Sequence, residues 1–208
     1  MKHKFTTMIM VLAGMVALAT QANATTFTFQ ENGSNLDLGP TSTFTEGGIS
    51  LTASGFLTAG GPTDLYAKNL GGDEVGLGTT IDPSHQNEIV TTDFVQLTLP
   101  TTPPTTFNMV VSGSVQSSES EKVFFTTTAG SLTGATLIGT ISGADGSVTV
   151  PAGDQTGFID ITAGAGNVLL HTVTVTAAVP DSGSAVALLG VALAGIEGVR
   201  RMVRARKA

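Results

Sequence analysis

Apolar and polar residues alternate along most of the central part of this 208-residue chain. A period of two residues is that of a strand with one buried face, whereas an amphipathic helix repeats every 3.6 residues. Central segments with this alternation include residues 25–30 (TTFTFQ), 49–53 (ISLTA), 94–99 (FVQLTL), 107–111 (FNMVV), 157–162 (GFIDIT) and 169–179 (LLHTVTVTAAV). In FNMVV, the alternation places Phe107, Met109 and Val111 on one buried face. The pattern predicts many short strands and no long amphipathic helix in this part.

Glycine and proline separate the alternating segments, at NLGGDE, LPTTPPTT, GADG and TAGAGN. These residues favour turns. Thirty of residues 25–178 are threonine, which is β-branched and suits a half-buried pleated surface. Short strands between frequent turns predict an all-β fold, an antiparallel β-sandwich of jelly-roll-like type.

The N-terminus, residues 1–24, has the three parts of a secretory signal peptide. A basic start with Lys2 and Lys4 precedes an apolar stretch, and Ala22 and Ala24 stand at the small-residue positions that a signal peptidase reads. The sequence predicts cleavage before Thr25.

The C-terminus, residues 179–208, ends in an apolar stretch and a basic tail. Residues 185–199 are apolar except for Glu197, and as a helix they would reach only about 22 Å, against about 30 Å of hydrocarbon. The basic residues that follow are Arg200, Arg201, Arg204, Arg206 and Lys207. Positive charge stays on the cytoplasmic side, so this end is expected inside and the body outside.

The order of features at this end resembles the sorting signal of exosortase substrates. A turn, Val179-Pro180-Asp181-Ser182-Gly183-Ser184, precedes the apolar stretch and then the arginines. This resembles the PEP-CTERM class, in its variant with a Val-Pro-Asp-Ser-Gly signature. The resemblance implies processing by a membrane exosortase, transient membrane contact through the helix, and release to the cell surface or extracellular matrix of a Gram-negative-type bacterium. An ordinary C-terminal membrane anchor is the alternative.

Between the two ends, residues 25–178 form the predicted β-sandwich body. This segment has 14 acidic residues and two lysines, so its net charge is 2 − 14 = −12. Such a charge excludes nucleic acid as a partner, because phosphate binding needs lysine and arginine. The chain has no cysteine, which excludes disulfides, thiol catalysis and thiolate-bound metals.

The densest group of acidic residues lies in residues 64–89. Asp73, Glu74, Asp82 and Glu88 stand there among glycines, and carboxylate oxygens on flexible loops are ligands that Ca²⁺ prefers. The spacing is not that of an EF-hand. The sequence therefore leaves two interpretations open, a Ca²⁺ site formed by these four residues and a solvated loop at the edge of the sandwich.

No catalytic residues are predicted, and we expect a protein that is not an enzyme. The chain has no Gly-x-Ser-x-Gly motif to mark a hydrolase nucleophile and no phosphate-binding loop. The resemblance implies a structural or adhesive, biofilm-related role. A Ca²⁺-dependent carbohydrate-binding module, with extracellular polysaccharide as its partner, is the second hypothesis, and a secreted hydrolase is the third.

Overall fold

Strands occupy the segments in which apolar and polar residues alternate. We describe the fold from a computed structural model, which describes residues 22–29, 36–71, 74–79, 87–101, 105–178, 190, 192–198, 200 and 204–205. In these residues the strands are β1 (Ala22–Thr28), β2 (Leu36–Gly39), β3 (Thr41–Glu46), β4 (Ile49–Leu57), β5 (Pro62–Thr63), β6 (Leu65–Asn69), β7 (Val75–Thr79), β8 (Asp93–Thr98), β9 (Thr105–Ser112), β10 (Ser120–Thr126), β11 (Thr136–Ser142), β12 (Ser147–Thr149), β13 (Phe158–Ala165) and β14 (Leu170–Ala178). A short 3-10 turn, Ala152–Asp154, precedes β13.

The chain divides into two units, which are described separately. One is Asn23–Ala177, which holds nearly all of the described strands, and the other combines Met1–Ala22 with Ala178–Ala208. Of the second unit, residues 192–198 are helical.

The strands form two antiparallel sheets that pack face to face, which confirms the predicted β-sandwich. Sheet A has the order β12-β9-β14-β7-β6-β2, with β1 also paired to β14. Sheet B has the order β11-β10-β13-β8-β4-β3, with β5 paired to β4. Most consecutive strands lie in opposite sheets, as β7 and β8, β9 and β10, and β13 and β14 do. The chain therefore crosses repeatedly between the sheets.

The core lies between the two sheets and is built from one face of each strand. Its fully buried large side chains include Phe29, Leu51, Leu97, Phe107 and Ile161. β4 shows the predicted alternation directly, with Ile49, Leu51 and Ala53 buried between half-buried polar neighbours. Burial of this apolar surface is the main force that stabilises the sandwich.

The prediction that Phe107, Met109 and Val111 share one buried face is wrong for the two residues after Phe107. Val110 and Ser112 are buried, while Met109 and Val111 are only half-buried. In the pairing of β9 with β14, Val175 is opposite Phe107 and Thr174 is opposite Met109, so β9 carries one extra residue at Asn108. This β-bulge shifts the alternation by one position and turns the following side chains to the other face.

Hydroxyl groups pair across the outer face of the β3–β4 hairpin. Three successive side-chain contacts join the two strands, Thr41 Oγ1 to Ser54 Oγ at 3.1 Å, Thr43 Oγ1 to Thr52 Oγ1 at 3.3 Å, and Thr45 Oγ1 to Ser50 Oγ at 3.2 Å. Such cross-strand pairs each contribute a fraction of a kcal/mol and fix the register of the hairpin. They are one reason why threonine and serine are so frequent in the body.

Candidate functional site

The C-terminal basic tail is described only in part. Arg200 and Arg204 are helical and exposed, and Arg200 Nη1 lies 4.0 Å from Glu197 Oε2, one turn earlier in the helix. An exposed pair of this kind adds little stability. The other predicted residues of this end lie outside the described residues, namely Val179, Pro180, Asp181, Ser182, Gly183, Ser184, Arg201, Arg206 and Lys207. Among the helical residues that the structure describes, no helix has the length and apolar character needed to cross a membrane.

The predicted signal cleavage site falls within β1. Ala22, Ala24 and Thr25 are all assigned to this strand, which pairs with β14. Cleavage before Thr25, which stays a prediction, would leave Thr25–Thr28 to pair with β14. Phe27 and Phe29, whose side chains are buried, both lie on the retained side of that bond.

Two of the four acidic residues predicted as Ca²⁺ ligands come together around a lysine. Lys68 Nζ donates hydrogen bonds to Glu74 Oε2 and to Glu88 Oε1. The second oxygen of Glu88, Oε2, accepts a hydrogen bond from Asn167 Nδ2. Lys68 is only 1% exposed and Glu88 only 2%. The result is a cluster of a buried amine and a buried carboxylate with the half-buried amide of Asn167, and Glu74 at its more open side. We call these four residues the Lys68 cluster.

Close backbone approach to β7 brings the members of the Lys68 cluster together. A Cβ atom on Gly78 would lie 2.1 Å from the carbonyl oxygen of Asn87, and one on Gly76 would lie 2.6 Å from the carbonyl oxygen of Leu170. The two glycines therefore allow the segment that carries Glu88 and the neighbouring strand β14 to approach β7 closely.

Backbone pairing fixes the remaining positions of the cluster. Ile89 and Val168 exchange two hydrogen bonds, each 2.9 Å from N to O, which make Glu88 and Asn167 diagonal neighbours on one face of this antiparallel pair. Lys68 reaches the same region from β6, where it is paired with Gly76 of β7. Residues from three separate parts of the chain thus meet at one point.

The electrostatics of the cluster follow from burial and from the ion pairs. Burial alone lowers the pKa of Lys68, but hydrogen bonds to Glu74 and Glu88 outweigh it and raise the pKa above the usual value. The hydrogen bond from Lys68 lowers the pKa of Glu74, whose side chain is 31% exposed. For the deeper Glu88, burial raises the pKa, and the contact with Lys68 opposes that rise.

The described part of the acidic loop does not offer an open Ca²⁺ site. The ammonium group of Lys68 occupies the position between Glu74 and Glu88 that a cation would take. Among the described residues there is no group of three or more histidine, cysteine, aspartate or glutamate side chains that could hold a metal. Asp73 and Asp82 lie outside the described residues, so the four-residue Ca²⁺ site stays a prediction.

A second buried acid, Glu121, lies between the sheets at the end of the sandwich. It is 0% exposed, and within the described structure neither of its carboxylate oxygens has a hydrogen-bond partner. The hydroxyl groups of Ser112 and Ser114, also buried, have no hydrogen bond of good geometry within the described residues, although Ser112 lies close enough to Glu121 to affect its carboxyl group. Burial raises the pKa of Glu121 to about 8, the Asp145 carboxylate adds to the rise, and the Ser112 hydroxyl opposes it. Glu121 is therefore protonated at neutral pH.

A third buried acid, Asp160, lies on the outer face of sheet B under the loop that follows β10. Its Oδ1 accepts a hydrogen bond from Gln96 Nε2 at 2.8 Å, while Oδ2 has no partner in the described residues. Gln96 also contacts the covering loop, through the Thr128 carbonyl oxygen at 3.3 Å and the Gly130 amide at 3.0 Å. Burial raises the pKa of Asp160 to about 7, against the effect of Gln96.

A groove of about 210 Å³ opens at another end of the sandwich, next to the start of β9. Its lining is mostly apolar, with threonine hydroxyls and one glutamine amide, and consists of Leu99, Pro100, Thr101, Thr105, Thr106, Gln155, Thr156 and Gly157. These side chains include no carboxylate, imidazole or amine, so this lining supplies no acid–base pair for catalysis.

The sequence predicted Glu74 and Glu88 only as Ca²⁺ ligands, and it gave no prediction of their contact with Lys68 or of the contact between Glu88 and Asn167. Lys68 is one of only two lysines in the body, and that rarity is the one signal that could have drawn attention to it. Asn167 lies in a turn-like TAGAGN stretch, which gave no indication of a buried contact. Glu121 shares the parity of buried Val123 in β10, so an acid on a core face was visible in the sequence.

The comparisons with known proteins concern the C-terminal segment. The family model for the VPDSG-CTERM motif matches residues 178–203, where the sequence predicts the sorting signal. The match starts at Ala178, the last residue of β14. A search of curated proteins finds none that matches the chain. The motif indicates an exported protein that is processed by an exosortase.

Proposed function

We propose that the chain is a structural or adhesive protein of the cell surface or extracellular matrix, whose β-sandwich body is delivered by its two terminal signals. The observation that carries this proposal is the VPDSG-CTERM motif at residues 178–203, directly after the last strand of the sandwich. Processing at this motif would remove the tail and leave β14 complete. The expected partners are signal peptidase at the N-terminus and an exosortase at the C-terminus.

The body supports a structural role more than a catalytic one. Among the described ionisable side chains, those of Lys68, Glu88, Glu121 and Asp160 are buried rather than presented to a substrate. The net charge of −12 for residues 25–178 favours a soluble, self-repelling exported domain. Binding of extracellular polysaccharide, through the groove or the acidic loop, is the alternative role.

Changing residues 180–183 (PDSG) to alanine tests the sorting proposal in a host with the matching exosortase. We expect the variant to accumulate as a membrane-associated precursor that still carries residues 200–208. Wild-type protein should end near the motif and, if the signal prediction holds, begin at Thr25. Intact mass spectrometry of both proteins reads the two ends at once.

Alanine at Ser117 and Ser118, in an exposed turn of the body, is the matched control and should be processed like the wild type. Release of the 180–183 variant at the wild-type rate and mass would contradict the sorting proposal. A glycan array with and without chelator tests the carbohydrate-binding alternative on the same preparation.

A further inference from the structure

We propose that Lys68 and Asn167 form an intramolecular amide bond, with Glu88 as the group that transfers protons between them. The first argument is the contact geometry. One carboxylate, that of Glu88, accepts a hydrogen bond from Lys68 Nζ on one oxygen and from Asn167 Nδ2 on the other. Because both oxygens belong to the same carboxylate, the amine and the amide are both held at Glu88, which can take a proton from one and give a proton to the other.

The second argument is burial. Lys68 is among the largest fully buried side chains, and Glu88 is 2% exposed. An ammonium and a carboxylate both lose hydration in such a place, and a proton passed from Lys68 to Glu88 converts two buried charges into two neutral groups. The neutral amine then carries the lone pair that a nucleophile needs. Glu74, at the more open side of the cluster, links Lys68 to solvent.

The reaction balances without a cofactor. With Lys68 neutral and Glu88 protonated, Lys68 Nζ attacks the side-chain carbonyl carbon of Asn167 and a new C–N bond forms. Glu88 gives its proton to Nδ2, the bond from the carbonyl carbon to Nδ2 breaks, and one ammonia leaves. Glu88 then takes the proton that Nζ releases, so it ends the reaction protonated as it began. No oxidant or reductant takes part. Amide formation from an amine and an amide is slow in water, but groups that the fold holds in contact react far faster than free ones.

The bond would have a defined mechanical effect. It would join β6 to the turn between β13 and β14, and these positions are 99 residues apart in the chain. A covalent link across such a long loop restricts the unfolded chain in the way that a disulfide does. This chain has no cysteine, so an amide is the cross-link that its own side chains allow.

Trypsin digestion of the exported, fully denatured protein gives a direct test, because Lys68 and Lys122 are the only trypsin sites between residues 25 and 180. Without the bond, cleavage at both lysines yields three fragments, 25–68, 69–122 and a third from residue 123 onward. With the bond, trypsin cuts only at Lys122, and the two halves stay joined through Lys68 and Asn167. We expect the joined product, lighter by one ammonia than the sum of its parts.

Lys122 is an internal control for digestion, since it must be cut in every sample. Three variants then separate the roles of the cluster. Lys68→Arg keeps the positive charge and the trypsin site but has no amine that forms the bond, so it should give three fragments. Glu88→Gln should also remain uncross-linked although Lys68 and Asn167 are intact. Glu74→Gln should still form the bond.

Complete cleavage of wild-type protein at Lys68, with no loss of mass, would overturn the proposal and leave the cluster as an ion pair. A loss of ammonia with normal cleavage at Lys68 would also overturn it. That result would point to ring closure at the Asn32-Gly33 pair instead. Circular dichroism of each variant shows whether a missing cross-link results from chemistry or from failure to fold.

Discussion

At the scale of single residues, the body is unusual for the acids it buries. Glu121 and Asp160 are each 0% exposed, and each has at least one carboxylate oxygen without a hydrogen-bond partner in the described structure. An ionised carboxylate in such a place costs several kcal/mol, so the proton stays bound instead. Their raised pKa values make the stability of the fold depend on pH.

We predict that the body loses stability as the pH rises from about 5 to 9. In this range folded Glu121, with a pKa of about 8, keeps a proton that the unfolded chain has released, so raising the pH favours the unfolded state. Glu121→Gln should flatten this dependence and make the protein more stable at pH 9 than the wild type, by up to about 5 kcal/mol. Urea unfolding at a series of pH values measures the effect.

Two controls accompany this measurement. Asp160→Asn should flatten the dependence of stability on pH in the lower part of this pH range, because the folded pKa of Asp160 is about 7. Glu46→Gln replaces a carboxyl group in the same way at an exposed position of β3 and should leave the slope as it is. A Glu121→Gln protein with the wild-type slope would show that Glu121 is ionised in the folded state.

At the scale of elements, β7 decides where the Lys68 cluster forms. Its sequence, VGLGT, places one glycine next to Leu170 and the other next to Asn87. All five residues of the strand are buried. Glycine in a strand weakens the strand itself, because it has more conformational freedom to lose and no side chain to pack. Because Gly76 and Gly78 have no Cβ atom, residues 87–88 and 169–170 can approach the backbone of β7 closely.

Gly78→Ala should destabilise the body by about 1–3 kcal/mol, the usual cost of overpacking. Its new Cβ would lie 2.1 Å from the Asn87 carbonyl oxygen and 2.9 Å from Glu88 Cα, so the segment that carries Glu88 must move. Gly153→Ala is the matched control, because nothing lies within 4 Å of a Cβ atom there, and it should be close to neutral. Equal unfolding midpoints for the two variants in urea would contradict this account of β7.

At the scale of the whole molecule, negative charge is concentrated in the part that is expected outside the membrane. Residues 25–178 carry −12, whereas seven of the nine basic residues of the chain lie in the two ends. Divalent cations can therefore act on the body in two ways, through general screening or through a specific site.

The Ca²⁺ hypothesis predicts a melting temperature that rises in millimolar Ca²⁺ and returns to its starting value in EDTA. A site that binds only the folded state adds about 2.7 kcal/mol when Ca²⁺ is in hundredfold excess over its Kd. Asp73→Asn and Asp82→Asn should each abolish the rise. If the melting temperature rises equally in Ca²⁺ and in Mg²⁺, and both variants keep that rise, the ions only screen the negative charge of the body and there is no specific Ca²⁺ site.

The sequence by itself determined the fold class and the C-terminal signal of this protein. Strands follow from the alternation of side chains because successive residues of a strand point to opposite faces, which is a local property of the backbone. The sorting motif is also local, since its order of turn, apolar stretch and basic tail is written in consecutive residues, and the matching family model covers that segment.

Only the tertiary structure decided which polar residues meet and which are buried. Lys68, Glu88 and Asn167 lie on three separate segments, and the pairing of Ile89 with Val168 and the glycines of β7 bring them together. The alternation in β13 places Asp160 on the outward face of the sheet, yet the loop that follows β10 covers it. Contacts of this kind depend on which strands become neighbours, and the spacing of residues along one segment carries no information about the segment that will lie against it.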